Sequence, residues 1–191
     1  MDLGLNGKTA LVLGAGGGLG SAIAMTLARE GARTAIADID PAALGQTAQA
    51  IAGAGGSALE LPWDLADLAV IEPNVAKIEA AFGPVDILIN NAGVALLGPS
   101  MAATEAEFDE TFALNVKVPF FLVASLAPAM AERGWGSIVN VSTMVASFGQ
   151  AGMALYGASR AALELLTKAW AAEYGPSGVR VNAVAPGPTR A

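Results

Sequence analysis

The sequence predicts an α/β fold, a doubly wound parallel sheet with helices on both faces. Short β-branched apolar runs alternate with longer helical stretches along the whole chain. Each run is bounded by Gly, Pro or polar residues, as a strand buried on both faces is. A run of glycines stands between the first strand and the first helix. Such alternation implies parallel βαβ units with right-handed crossovers.

Strands are expected at Thr9–Leu13, Thr34–Ala37, Ser57–Leu61, Val85–Ile89, Ser137–Val141 and Val179–Val184. Helices are expected between them, at about Leu19–Glu30, Pro41–Ala52, Ala66–Ala81, Thr104–Arg133 and Met153–Tyr174, the fourth broken near Asn115 to Pro119. Pro41 suits a first helical turn, and Asp40 before it suits an N-cap. Gly31 and Gly175 suit helix ends, and Gly53–Gly56 reads as a helix-to-strand turn. No repeat, low-complexity tract or interdomain linker is visible, so residues 1–191 are expected to form a single domain.

Composition narrows the chemistry. Apolar residues make up 54% of the chain and charged residues 14%, which argues against disorder. The net charge is −7, with 10 Lys and Arg scattered along the chain, so nucleic acid is not the expected partner. The chain has no Cys and no His. Disulfides, thiol nucleophiles, Cys/His zinc sites and imidazole chemistry are therefore excluded. Proton transfer must use Tyr, Lys, Asp, Glu or water. Met1 to Lys8 carries no signal-peptide pattern, and no apolar run reaches the roughly 18 residues of a membrane helix. The expected location is cytoplasmic, without a membrane partner.

The run Gly14-Ala-Gly-Gly-Gly-Leu-Gly20 lies where the first strand hands over to the first helix. Glycines there allow a tight turn and let a diphosphate approach the backbone. The helix N-terminus adds free N–H groups and a positive dipole end. A glycine cluster also makes a plain turn, so the next acidic residue matters. Asp38 ends the second strand, 18 positions beyond Gly20. That is where a carboxylate accepts hydrogen bonds from adenosine ribose hydroxyls. The same carboxylate repels a 2′-phosphate, Ile39 follows it, and the glycine loop holds no Lys or Arg. NAD is therefore expected over NADP. Asp38 could instead cap the helix at Pro41, a role that Asp40 fits better.

Several further motifs follow in order: Asp64, Asn90-Asn91-Ala92-Gly93, Asn115, Ser142-Thr143, Tyr156-x3-Arg160 and Pro186-Gly187. With the glycine loop, they make the sequence resemble the short-chain dehydrogenase/reductase family, of the 3-oxoacyl-carrier-protein reductase-like kind, from about Leu5 to Ala191. The resemblance implies a Rossmann-like sheet of strand order 3-2-1-4-5-6. It implies that Gly14, Gly18, Leu19, Gly20, Asp38, Asp64, Leu65, Asn91, Ala92, Gly93, Tyr156, Arg160, Pro186 and Gly187 hold the cofactor. Asp64 would face the adenine amino group, and Asn91 would tie neighbouring strands. Asn115 would interrupt its helix and hold a water in a proton relay; a kink helped by Pro119 is the plainer alternative.

Tyr156 is the implied acid–base group. A free tyrosine titrates near about 10, too high for a base at neutrality. A cation four residues later lies one helical turn away and stabilises the phenolate. Thr143, 13 positions before Tyr156, stands where the family has its catalytic Ser, with Ser142 as the second candidate.

Three departures from the family pattern carry expectations. Arg160 replaces the family's Lys; it keeps the charge but does not readily release a proton, so reduced turnover with retained cofactor binding is expected. Leu13 replaces the usual Thr before the first glycine, removing a hydroxyl that braces the loop and weakening cofactor affinity. The family's substrate loop and seventh strand do not follow position 191, so the sixth strand is expected as an apolar edge.

The expected reaction interconverts a secondary alcohol and a ketone. Candidate substrate contacts are Thr143, Met144, Gln150 and Tyr156, with Val94, Ala95, Val145 and Met153 completing a mostly apolar pocket. The alternative is a nucleotide-binding protein with weak or no catalysis, in a redox-sensing or regulatory role. The resemblance also implies a homodimer or homotetramer through the Thr104–Arg133 and Met153–Tyr174 helices.

Overall fold

In the computed structural model, which describes residues 2–188, six strands form one sheet in the order β3-β2-β1-β4-β5-β6. The strands are β1 (Thr9–Leu13), β2 (Arg33–Asp38), β3 (Ser57–Pro62), β4 (Ile87–Asn90), β5 (Gly136–Val141) and β6 (Val179–Val184). The helices are α1 (Gly18–Arg29), α2 (Pro41–Gly53), α3 (Ile71–Phe82), α4 (Glu105–Phe112), α5 (Val118–Glu132) and α6 (Ala154–Tyr174). Among the described residues, packing separates the chain into two compact units, one up to Ala92 and one from Gly93 to Pro188, in place of the single domain expected.

In the first unit β1 lies between β2 and β4, parallel to both, and all five of its residues are buried. A strand with neighbours on both sides and helices over its faces has no solvent side, which is why its sequence does not alternate. Asp40 caps α2 by accepting from the Ala42 and Ala43 N–H groups, and Pro41 fills the first turn. α1 ends at Arg29, and Gly31 turns the chain with φ of 86°.

Two boundaries in this unit differ from the sequence reading by more than one residue. The fourth strand starts at Ile87 rather than Val85, because the Asp86 carboxylate accepts from the Thr9 N–H at 3.1 Å and the ladder begins only at Ile87 beside Ala10. The third helix starts at Ile71 rather than Ala66. Asp64 and Asp67 accept from the Ala66 and Ala69 N–H groups, and these side-chain turns, followed by a 3₁₀ turn at Leu68–Val70, delay the α-helix.

In the second unit β5 pairs with β6 in parallel, and α5 and α6 pack on this pair and on each other. The helical run from Glu105 to Glu132 is not broken. It continues through a π turn at Ala113–Lys117 that buries Asn115. Pro119 lacks an N–H, so the Asn115 carbonyl cannot receive the α-helical bond from four residues ahead. The run is long and apolar enough to cross a membrane by length and composition. Val118, Leu122, Val123, Leu126 and Met130 on it are nevertheless core residues. α4 opens on a capping box in which Thr104 and Glu107 each bond the other's backbone N–H. α6 ends at Tyr174, but Gly175 stays in the right-handed region and leads into a 3₁₀ turn; the left-handed residue is Gly178, with φ of 81°. β6 is a terminal strand, and its Val184 is exposed.

Candidate active site

The glycine loop of the first unit is shaped by close approach. Gly14 has φ of 66°, and a Cβ there would lie 2.9 Å from the Ala92 Cα. A Cβ on Gly20 would strike the Gly14 carbonyl oxygen. A Cβ on Gly16 would lie 2.8 Å from the Asp38 Oδ2. Gly17 is the N-cap of α1 and supplies no capping side chain, and Gly18 and Leu19 after it are exposed. The first turn of α1 therefore presents N–H groups that no side chain caps. That cradle, narrow where glycine is required and open at the helix end, fits a diphosphate.

Asn91 donates from its amide nitrogen to the carbonyl oxygens of Leu13 and Gly14, each at 3.1 Å, tying the segment after β4 to the end of β1. Asp38 is half-buried at the end of β2. Its Oδ2 accepts from the Gly16 N–H at 2.9 Å and its Oδ1 from the Asp40 N–H at 3.2 Å. It does not cap α2; Asp40 does. Asp64 is exposed and closes a turn on the Ala66 N–H, while Leu65 beside it is buried. Leu13 is a core residue, and the loop takes a brace from elsewhere: the Thr47 hydroxyl on α2 donates to the Ala15 carbonyl at 2.9 Å.

The second unit holds the remaining site residues. Tyr156 and Arg160 stand one turn apart on α6, with the Arg160 Cζ 5.6 Å from the centre of the Tyr156 ring. Arg160 is only 5% exposed. One Nη donates to the Val141 carbonyl at 3.0 Å, and Nε has no hydrogen-bond partner. The other Nη lies where a Cβ on Gly93 would have to stand. Burial draws the guanidinium below its ordinary value, and the neighbouring Tyr156 opposes that shift by charge and hydrogen bonding.

Asn115 uses its whole side chain on this framework. Its oxygen accepts from the Val94 N–H at 2.9 Å, and its nitrogen donates to the Val94 carbonyl at 2.9 Å and the Ser159 hydroxyl at 3.0 Å. Ser159 in turn donates to the Tyr156 carbonyl at 2.8 Å. The π turn thus bolts the segment after Gly93 to the helix that carries Tyr156.

Ser142 and Thr143 follow β5. The Ser142 hydroxyl donates to the Glu164 carboxylate at 2.6 Å, and its N–H to the Val184 carbonyl at 2.7 Å. Thr143 is half-buried in extended backbone. The Met144 N–H bonds the Pro186 carbonyl at 3.2 Å, and a Cβ on Gly187 would lie 3.5 Å from the Met144 sulfur. Val145 is buried, Val94 and Met153 are half-buried, and Ala95, Met144 and Gln150 are exposed. A cavity of about 390 Å³ opens between α4, α6 and the 96–103 segment, walled by Leu96, Leu97, Phe108, Phe112 and Leu155. None of the predicted substrate contacts lines it.

Sequence reasoning missed Thr47, Ser159 and Glu164. Ser159 adjoins Arg160, and Glu164 lies one turn beyond Arg160 on α6, so both were open to a helical reading. Nothing local marks Thr47, which reaches across 32 positions.

A family model described as "short chain dehydrogenase" matches residues 8–191. The chain belongs to this family of oxidoreductases. It is 42% identical over 183 residues to nodulation protein G of Azospirillum brasilense, covering 94% of this chain and 74% of that protein. It superimposes on a crystal structure of NAD⁺-bound xylitol dehydrogenase with TM-score 0.92 and 33% identity, covering 96% of this chain and 71% of that one. A metagenomic short-chain oxidoreductase in complex with NADP gives TM-score 0.91 and 37% identity, covering 97% of this chain and 85% of that one. The family works with nicotinamide cofactors and acts on small-molecule alcohols and ketones.

Proposed function

We propose that this chain is an NAD(H)-linked oxidoreductase that interconverts a secondary alcohol and a ketone, with Tyr156 as acid and base. The observation that carries this reading is the buried Arg160 guanidinium beside the Tyr156 ring. That places a cation beside the hydroxyl-bearing ring that would exchange the alcohol proton. Bound NAD supplies the hydride acceptor.

The chain's own residues divide the remaining work. Gly14 to Gly20 would hold the diphosphate, with Asn91, Ala92, Leu65 and Asp64 near the adenosine end. Asp38 would accept from the ribose hydroxyls. Both of its oxygens already take backbone N–H bonds, so the carboxylate is held in one orientation with acceptor capacity to spare. A 2′-phosphate brought to this fixed anion is repelled, which supports NAD over NADP. Gly93, Arg160, Pro186 and Gly187 would hold the nicotinamide end. The Thr143 hydroxyl would donate to the substrate oxygen; Ser142 is a poorer candidate because its hydroxyl already donates to the Glu164 carboxylate. Met144 and Gln150, exposed beyond Thr143, would contact the rest of the substrate.

The test is steady-state oxidation of a panel of polyols and other secondary alcohols with NAD. Tyr156→Phe should abolish turnover while NADH binding, followed by fluorescence, persists. Wild-type turnover that survives Tyr156→Phe would overturn the assignment.

One observation favours a second reading, a nucleotide-binding protein with little catalysis. The Arg160 guanidinium is committed to the Val141 carbonyl and walled by Gly93, which suits a fixed strut better than a proton carrier. NADH binding with no turnover across the panel would establish that reading.

The second unit also supports self-association. Phe108, Phe120 and Phe121 are exposed, and Leu165 on α6 is 68% exposed. Large exposed apolar side chains on α4, α5 and α6 support a surface for another copy. A dimer or tetramer in light scattering is the expected result, and a stable monomer at micromolar concentration would remove the proposal. The cysteine-free composition suits a reducing cytoplasm.

A further inference from the structure

One peptide plane in the glycine loop is gripped at both ends. The Ala15 carbonyl oxygen accepts from the Thr47 hydroxyl at 2.9 Å. The Gly16 N–H, on the other side of the same peptide bond, donates to the Asp38 Oδ2 at 2.9 Å. Planarity makes the C=O and N–H of one peptide point in opposite directions, so fixing one fixes the other. Ala15 is fully buried and Thr47 is 5% exposed, so water does not compete well for the first bond. The Ala15 N–H continues the strand ladder to the Ala37 carbonyl at 3.1 Å. A side chain on Gly16 would meet both Asp38 and the Ala43 methyl.

The consequence falls on Asp38. Its Oδ2 is aimed by the Gly16 N–H, and that N–H is aimed by Thr47 through the peptide. We propose that Thr47 is a positioning residue for dinucleotide recognition. Acting through the 15–16 peptide, it sets the orientation of the Asp38 carboxylate and hence the preference for a free ribose 2′-hydroxyl over a 2′-phosphate. This rests on the reading of Asp38 as the ribose acid. It also explains how a loop preceded by Leu13 keeps its shape: the hydroxyl that the strand lacks is supplied from α2.

The experiment compares wild type, Thr47→Val and Thr47→Ser. It reads Gly16 amide exchange by NMR in the free protein, and NADH and NADPH dissociation constants by fluorescence titration. Loss of one buried hydrogen bond should speed Gly16 exchange and raise the NADH dissociation constant by about fivefold to tenfold in Thr47→Val. NADPH binding should change less than about twofold, since a misaimed carboxylate also repels less, so the preference narrows. Thr47→Ser keeps the hydroxyl and should restore both readouts. With Asp38→Ala in place, Thr47→Val should have no further effect on NADH.

Unchanged Gly16 exchange and unchanged NADH affinity in Thr47→Val would overturn the proposal. So would equal weakening of NADH and NADPH, which a plain structural brace produces. If wild type binds no NADH, the ribose reading fails and takes this proposal with it. That result is distinct from failure of the Thr47 link alone, in which wild type binds and Thr47→Val binds equally well. Should Thr47→Val not fold, Thr47→Ala carries the same comparison.

Discussion

Arg160 reaches from α6 to the carbonyl oxygen of Val141, the last residue of β5, at 3.0 Å, and so fastens the strand that delivers Thr143 to the helix that carries Tyr156. A lysine has one compact ammonium and a shorter reach, so it would leave that carbonyl or share it. The charge beside Tyr156 is therefore tied to the end of β5 in this chain.

Replacing Arg160 by Lys should raise turnover about tenfold, equivalent to about 1.4 kcal/mol in the barrier, because a lysine releases and regains a proton more readily. It should also lower thermal stability by removing the bond to Val141. Steady-state rates and melting curves of the same preparation check both. An unchanged or lower rate would count against the view that Arg160 limits proton movement.

Removing the Asn115 side chain should be costly. Asn115→Ala leaves the Val94 N–H and carbonyl without their side-chain partner and removes the donor to Ser159. The expected loss is about 2–4 kcal/mol in urea unfolding. Asn115→Asp tests the chemistry further, since it keeps the acceptor and loses both donors.

Ser142 and Thr143 should separate cleanly. Thr143→Ala should cut turnover about a hundredfold with NADH affinity unchanged, as expected for a hydroxyl that meets the substrate oxygen. Ser142→Ala breaks the bond to Glu164 and should cost about 1 kcal/mol of stability with a much smaller kinetic effect. The reverse pattern would give the substrate contact to Ser142.

The capping box predicts an acid limb in the stability of α4. Backbone and hydroxyl hydrogen bonds from Thr104 hold the Glu107 carboxyl below its ordinary value. A carboxylate depressed in the folded state adds stability that is complete above its unfolded value. That stability is lost as pH falls through the folded value. The protection of α4 amides, corrected for the slower intrinsic exchange in acid, should therefore fall as the solution is acidified below the usual carboxylate range, and Thr104→Val should remove most of that dependence.

The parts of this protein that sequence alone determined are those governed by near neighbours. The alternation of apolar runs and helical stretches announced the strand count and the parallel sense, while the strand order came with the family resemblance. Asp40 before Pro41 announced the α2 cap, and the glycines from 14 to 20 announced a turn opening onto a helix. Each depends on residues within a few positions, where propensity and hydrogen-bonding reach decide the outcome. The tertiary structure decided which side chains hold distant parts of the chain together. Arg160 finds Val141 across 19 positions, Ser142 finds Glu164 across 22, and Thr47 finds Ala15 across 32. The start of β4 at Ile87 was likewise decided by Asp86 meeting Thr9. Such pairs form only after a crossover has laid a helix back over its strand, and a polar group buried there must take whatever partner that packing brings within reach.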